Sequence, residues 1–172
     1  MDNTEQGKFL VNEQGISYYE CDDPFETVRD DDKRRIEINP EGFHETTLIF
    51  LHGLGDSCEG FYDYFAEWSK YKLTPPSCRI VLPTAPRKPV SCNRGYVMNS
   101  WFDIYPEGPK PAETLAEIRA EHNQDDLIES AKFLLELVEE ERKKFKDGDI
   151  GRIYIGGFSQ GCMVSLAAYM MH

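Results

Sequence analysis

The chain has no C-x-x-C pair, no N-x-S/T sequon, and no apolar run near the roughly 18 residues that a membrane span requires. Its five cysteines, at 21, 58, 78, 92 and 162, are odd in number and irregular in spacing. Neither a disulfide framework nor a zinc knuckle is indicated. Basic residues are scarce beside acidic ones, 19 against 31, for a formal net charge of −12. Nucleic acid and anionic membrane surfaces both need a basic footprint, so neither is an expected partner. The first residues, MDNTEQGKFLVNEQG, hold no basic n-region and no apolar h-region, and no secretory signal is visible. The expected setting is reducing and cytoplasmic, without stable membrane insertion. No G-x-G-x-x-G or G-K-[ST] phosphate loop is present, and no metal or cofactor is expected.

What is present is one domain's worth of chain, 172 residues with 40% hydrophobic side chains. Phe9–Val11 and Ile16–Tyr19, split by Asn-Glu-Gln-Gly, read as a hairpin. The acidic stretch from Cys21 to Asp32 reads as a solvated surface loop. From Thr46 the pattern sharpens. Thr-Thr-Leu-Ile-Phe-Leu is a continuous β-prone run suited to a strand covered on both faces. Residues 61–71 follow as a helix, with aromatic anchors Phe61, Tyr64, Phe65 and Trp68 at i, i+3, i+4, i+7. Arg79–Leu82 is a second strand, stopped by Pro83. Residues 84–123 are proline-punctuated and read as a long irregular excursion of functional use. A strong helix runs from about Asp125 to Phe145, with acids at its start and bases at its end. Ile153–Ile155 is a third strand, and an apolar helix spans Met163–Met171. Alternation of this kind predicts an α/β fold with a parallel sheet and helices on both faces.

Gly157-Phe158-Ser159-Gln160-Gly161 is a G-x-S-x-G pentapeptide between a strand and a helix, the setting of a nucleophile elbow. Such a turn is so tight that side chains two residues either side of the serine would strike backbone, hence glycine at 157 and 161. It lifts the hydroxyl into solvent at a helix N-terminus. There the N–H of Gln160 can help hold an oxyanion. His52-Gly53-Leu54-Gly55-Asp56 directly follows the first strand. Its glycines can present the Leu54 N–H toward Ser159 as a second donor.

HGLGD after LIFL, then RIVLPTAPRKPV, then NRGYVMNSWFDI, then GRIYIGGFSQG resemble, in order and spacing, the acyl-protein thioesterase and lysophospholipase family of carboxylesterases. The resemblance runs from about Thr46 to His172, the N-terminal portion of such a domain, and leaves residues 1–45 as a divergent extension. It implies an α/β-hydrolase fold and a serine hydrolase acting on acylated protein or lysophospholipid. It matches Ser159 to the nucleophile, Leu54 and Gln160 to the backbone oxyanion donors, and Trp101 to a position near the substrate groove. Cys162 stands where the family usually has another glycine.

A serine nucleophile needs a base, and in α/β-hydrolases an acid and then a histidine follow the serine in the chain. Only thirteen residues follow Ser159, none of them acidic. His172 would lie roughly 20 Å away along a helix. His52 belongs to the oxyanion loop, and His44 and His122 are expected at the surface. The chain therefore reads as stopping partway through the fold, without the later strands that carry the family's Asp and His. Its last strand is then expected to be an apolar edge through which the chain self-associates. A second reading is a catalytically inactive hydrolase-like protein that binds acyl chains or a partner. A third is another serine hydrolase, such as a peptidase or short-chain esterase.

Overall fold

The computed structural model describes residues 7–11, 17–21, 27–30, 34–40, 43–70, 75–106, 114, 116–117, 122–146 and 152–172. In chain order the strands before the first helix are β1 (Gly7–Val11), β2 (Ser17–Cys21), β3 (Thr27–Asp30), β4 (Arg35–Ile38), β5 (Phe43–His44) and β6 (Thr46–Leu51). Then come α1 (Cys58–Lys70), β7 (Cys78–Pro83), β8 (Arg87–Val90), β9 (Tyr96–Asn99), α2 (Gln124–Arg142), β10 (Ile153–Gly157) and α3 (Gln160–Met171).

The main sheet has the order β10-β6-β7-β4-β3. β10, β6 and β7 are parallel, with Ile155 opposite Ile49 and Ile49 opposite Val81. β4 and β3 continue the sheet antiparallel, so it is mixed rather than wholly parallel. The difference arises before Thr46, where hydrophobic runs are too short to declare themselves. Thr27–Asp30, part of the acidic stretch expected as a loop, is the edge strand β3, and β4 lies between it and β7. β1 and β2 form an antiparallel hairpin, joined by β5 into a separate three-stranded sheet.

Alternation along β6 sends its side chains to both faces. Ile49 and Leu51, with Val81 of β7, pack in a buried cluster with Leu134 and Val138 of α2 and Val164 and Ala168 of α3. Leu48 and Phe50, with Ile80 and Leu82, face the other way against Phe61 and Phe65 of α1. The Phe50 ring centroid lies 4.9 Å from that of Phe61 and 5.2 Å from that of Phe65. Tyr64, expected as an anchor, is 60% exposed. The Trp68 side chain falls outside the described residues. Helices thus cover both faces of the sheet.

The excursion after β7 is less irregular than its prolines suggest. β8 and β9 pair antiparallel from Arg87–Asn99 to Val90–Tyr96. The turn between them uses left-handed backbone at Arg94 (φ 58°) and Gly95 (φ 76°). α2 begins on a side-chain cap, the Asn123 carboxamide oxygen accepting from the Asp126 N–H at 3.2 Å. Asp125 and Asp126 occupy its first turn and Arg142 its last.

Where the end of α2 lies over β4 and the start of β7 sits a largely buried ionic cluster. Arg79 Nε donates to Glu141 Oε2 at 3.1 Å and its NH2 lies 2.5 Å from Glu37. Arg35 bridges Glu37 and Glu140, each at 2.7 Å. His44 belongs to the same region. It is fully buried rather than at the surface, its Nε2 2.7 Å from Thr47 Oγ1, which donates to Glu141 at 3.2 Å. Its ring packs 4.6 Å from that of Phe145. Desolvation, followed by the charges of Arg79 and Lys144, drives its pKa down to about 3.

Candidate active site

β6 and β10 end side by side, and the two glycine-rich loops leave the sheet at their C-terminal ends. The Phe158 N–H donates to the Leu51 carbonyl at 2.9 Å, which carries the β6–β10 pairing into the elbow. Ser159 follows with φ 52° and ψ −117°, a left-handed backbone for a residue with a Cβ. Such strain costs about 1–3 kcal/mol and persists only where surroundings enforce it. The enforcement is visible in the glycines. An ideal Cβ on Gly157 would lie 2.3 Å from the Gly161 carbonyl carbon. One on Gly161 would lie 2.3 Å from the Leu51 oxygen. Both obstacles are backbone, so no side-chain rotation can relieve them.

Ser159 is exposed and occupies the N-cap of α3, yet its side chain makes no capping hydrogen bond. The hydroxyl stays available at the positive end of a twelve-residue helix. The Gln160 N–H is among the first-turn amides that no helical carbonyl can reach.

The His52–Asp56 loop closes on the elbow from the β6 side. A Cβ on Gly53 would meet Phe158 Cδ1 at 3.0 Å and Ser159 Cβ at 3.3 Å, so Gly53 backbone lies directly against the serine. In the same loop the Gly55 N–H donates to Asn99 O at 2.8 Å and the Asp56 N–H to Gly53 O at 3.3 Å. The Leu54 N–H between them meets no acceptor among the described residues. Asn99 holds the loop a second time, its Nδ2 donating to Asp56 O at 2.7 Å. Among the described residues, the Ser159 hydroxyl and the Leu54 and Gln160 N–H groups thus make no hydrogen bond, and each remains available to a ligand.

His52 is a strut. Its Nδ1 donates to the Gly53 carbonyl at 2.6 Å and its Nε2 accepts from the Ala85 N–H at 3.0 Å. Both ring nitrogens are committed, and burial pushes its pKa down, so the ring is neutral.

Trp101, expected near the groove, is fully buried beneath the loops. Its indole N–H donates to the His52 carbonyl at 2.8 Å and its backbone N–H to Gln160 Oε1 at 3.1 Å. With its side chain buried, it holds the His52–Asp56 loop from below and does not line an open groove at Ser159. His122, also expected at the surface, is half-buried, its ring 5.7 Å from that of Phe102.

Sequence reasoning assigned Gln160 a backbone role only and missed its side chain. The carboxamide is buried and spans to the Ser100–Phe102 segment. Nε2 donates to Phe102 O at 2.8 Å, while Oε1 accepts from the Trp101 N–H and lies 3.3 Å from Ser100 Oγ. The signal was available: Gln160 and Ser165 are the polar side chains of an otherwise apolar helix. Cys162 is exposed, two residues further along the first turn of α3.

The mixed sheet, the strained serine turn and the facing glycine loop define an α/β-hydrolase. The profile of the phospholipase/carboxylesterase family matches residues 33–172, so it takes in β4 as well as the later motifs. The chain belongs to that family. It is 41% identical over 131 residues to acyl-protein thioesterase 1 of Schizosaccharomyces pombe, covering 76% of this chain and 52% of the relative. It is 34% identical over 139 residues to lysophospholipase-like protein 1 of Mus musculus, covering 80% and 54%. The crystal structure of Arabidopsis thaliana SOBER1 superposes with a TM-score of 0.59 at 29% identity, over 74% of this chain and 55% of that one. Acyl-protein thioesterase 2 of Zea mays superposes with a TM-score of 0.53 at 27% identity, over 78% and 50%. The chain therefore spans about half the length of these relatives. Among the described residues, no helix is long and apolar enough to cross a membrane.

Proposed function

We propose that these residues form the nucleophile-bearing half of a serine hydrolase that cleaves acyl thioesters or esters, on acylated protein or lysophospholipid. The observation that carries this is Ser159: exposed, strained, free of any capping bond, and set against Gly53 of the facing loop. The names of the thioesterase and lysophospholipase relatives supply the substrate class. In the reaction, Ser159 Oγ attacks the acyl carbon while a base takes its proton. The carbonyl oxygen becomes an oxyanion between the Leu54 and Gln160 N–H groups. Collapse expels the thiol or alcohol, which leaves with the proton, and water then cleaves the acyl-serine. Trp101 and the Gln160 side chain hold the two loops in register.

The base is proposed to come from outside the 172 residues. His52 has both nitrogens engaged, His44 is buried in the ionic cluster at the opposite end of the strands, His122 is half-buried against the Phe102 ring, and His172 closes the far end of α3. Turnover by the chain alone is therefore expected to be negligible, since losing the base of a serine triad costs on the order of 10⁶ in kcat. The test is release of thiol from an S-palmitoyl peptide, set against fatty-acid release from lysophosphatidylcholine. Protein made from the whole reading frame should turn over at least one of them, and Ser159→Ala should abolish it. Full activity in that variant would overturn the proposal. The open edge of β10 and the exposed Leu166, Tyr169 and Met170 of α3 support self-association of the chain when made alone. Light scattering should show dimers or larger species, and a stable monomer would contradict this.

A further inference from the structure

A cleft of about 460 Å³ opens between α2, the residues after β7 and the base of the β8–β9 hairpin. Ser159 does not line it. Its apolar side is Pro86, Phe133 and Trp101, with the Phe133 and Trp101 ring centroids 6.1 Å apart. Phe133 remains 36% exposed. Its charged side chains are Arg34 and Lys88 on one hand and Glu129 on the other. The volume lies in the range of about 300–1,000 Å³ typical of small-molecule sites.

Neither cation is exhausted by its partner. Lys88 Nζ is 3.0 Å from Asp126 Oδ2, and one Arg34 nitrogen donates to Asn99 Oδ1 at 3.0 Å. An ammonium has three donors and a guanidinium five, so each can still meet an anionic oxygen. Asp126 and Glu129 offset the two cations, so a bare anion gains little here from net charge. A head group carrying both signs uses every charge in the lining. Its phosphate would meet Arg34 and Lys88, and its ammonium Glu129 with the face of Phe133. A short apolar tail would lie on Pro86 and Phe133.

We propose that this cleft is a second binding site, separate from the serine, for a zwitterionic amphiphile with a phosphate and an ammonium in its head group. Occupancy would press on Trp101, whose indole holds His52 O and whose backbone N–H is held by Gln160, so the cleft and the elbow share one residue.

The test is calorimetric titration of protein made from the whole reading frame with decylphosphocholine, decyl phosphate and decyltrimethylammonium, each below its micelle concentration. Decylphosphocholine should bind saturably and most tightly, and equally well to Ser159→Ala. Glu129→Gln should weaken decylphosphocholine about three- to fivefold, the upper size of an exposed ion pair, and leave decyl phosphate unweakened. Lys88→Met should weaken both phosphate ligands and spare the alkylammonium. Glu129 is exposed, so Glu129→Gln leaves the fold intact. Absence of saturable binding, equal affinity of Glu129→Gln for decylphosphocholine, or loss of binding in Ser159→Ala would each overturn the proposal.

Discussion

Replacing Gln160 with alanine isolates its side chain, because the backbone N–H remains and only the carboxamide goes. The side chain is 2% exposed and Trp101 is 0% exposed, so water cannot replace what is lost. The Trp101 N–H loses its acceptor, at a cost of about 1–3 kcal/mol for a buried unpaired donor. Phe102 O loses the 2.8 Å bond from Nε2 but keeps Ser100 Oγ at 2.7 Å, so that part costs about 1 kcal/mol. The sum is about 2–4 kcal/mol, a large share of the roughly 5–15 kcal/mol that holds a domain together. With a urea slope of about 2 kcal/mol/M, the middle of the usual range, the unfolding midpoint should fall by about 1–2 M. Hydrogen exchange at the Trp101 amide should accelerate in the same variant. Gln160→Glu should do no better, since it replaces the donor facing Phe102 O with a second acceptor. A Gln160→Ala protein within 0.5 kcal/mol of the parent, with Trp101 still protected, would refute the role of the carboxamide as the tie between the loops.

Other perturbations have opposite signs. Ser159→Gly should stabilise the fold by about 1 kcal/mol in urea unfolding, because glycine adopts φ 52° without strain; a destabilised variant would mean that the serine is not strained. Glu141→Ala should cost about 3 kcal/mol by leaving the buried Arg79 short of a carboxylate, whereas Glu139→Ala, which breaks an exposed pair with Arg142, should cost under about 0.5 kcal/mol. Equal thermal shifts for the two would contradict the buried network. For His44 the folded pKa of about 3 lies below the usual 6.5, so the unfolded chain binds a proton first as pH falls. Its contribution is complete above pH 6.5 and declines by about 1.4 kcal/mol per pH unit toward pH 3. Burial favours the neutral form of Glu37, but the Arg79 and Arg35 charges outweigh it and hold its pKa below the usual range, so it adds a further loss below about pH 4. His44→Asn should flatten the slope between pH 6.5 and 5; an unchanged slope would show that His44 titrates normally.

The central strands and the elbow were legible because each is local. β6, β7 and β10 are short β-prone runs, and G-x-S-x-G needs only its five residues to be recognised. What escaped the sequence depends on distant partners. Thr27–Asp30 has a single apolar residue and acidic neighbours on both sides, so it does not announce a strand and becomes one by pairing with β4. His44 looks like a surface histidine until Phe145 and Thr47 close over it. Prolines at 86 and 89 hid a hairpin whose pairing rests on the turn at Arg94–Gly95. Trp101 could be placed near the site by its motif, but whether an indole lines a groove or lies under it is settled by which carbonyl its N–H finds, here that of His52.

Everything functional turns on the reactivity of one hydroxyl, and a covalent probe asks about it directly. Protein made from the whole reading frame, treated with a fluorophosphonate and weighed intact, should gain a single adduct that maps to the peptide holding Ser159 and is missing from Ser159→Ala. Labelling that persists in Ser159→Ala, or a folded protein that never labels, would contradict the account.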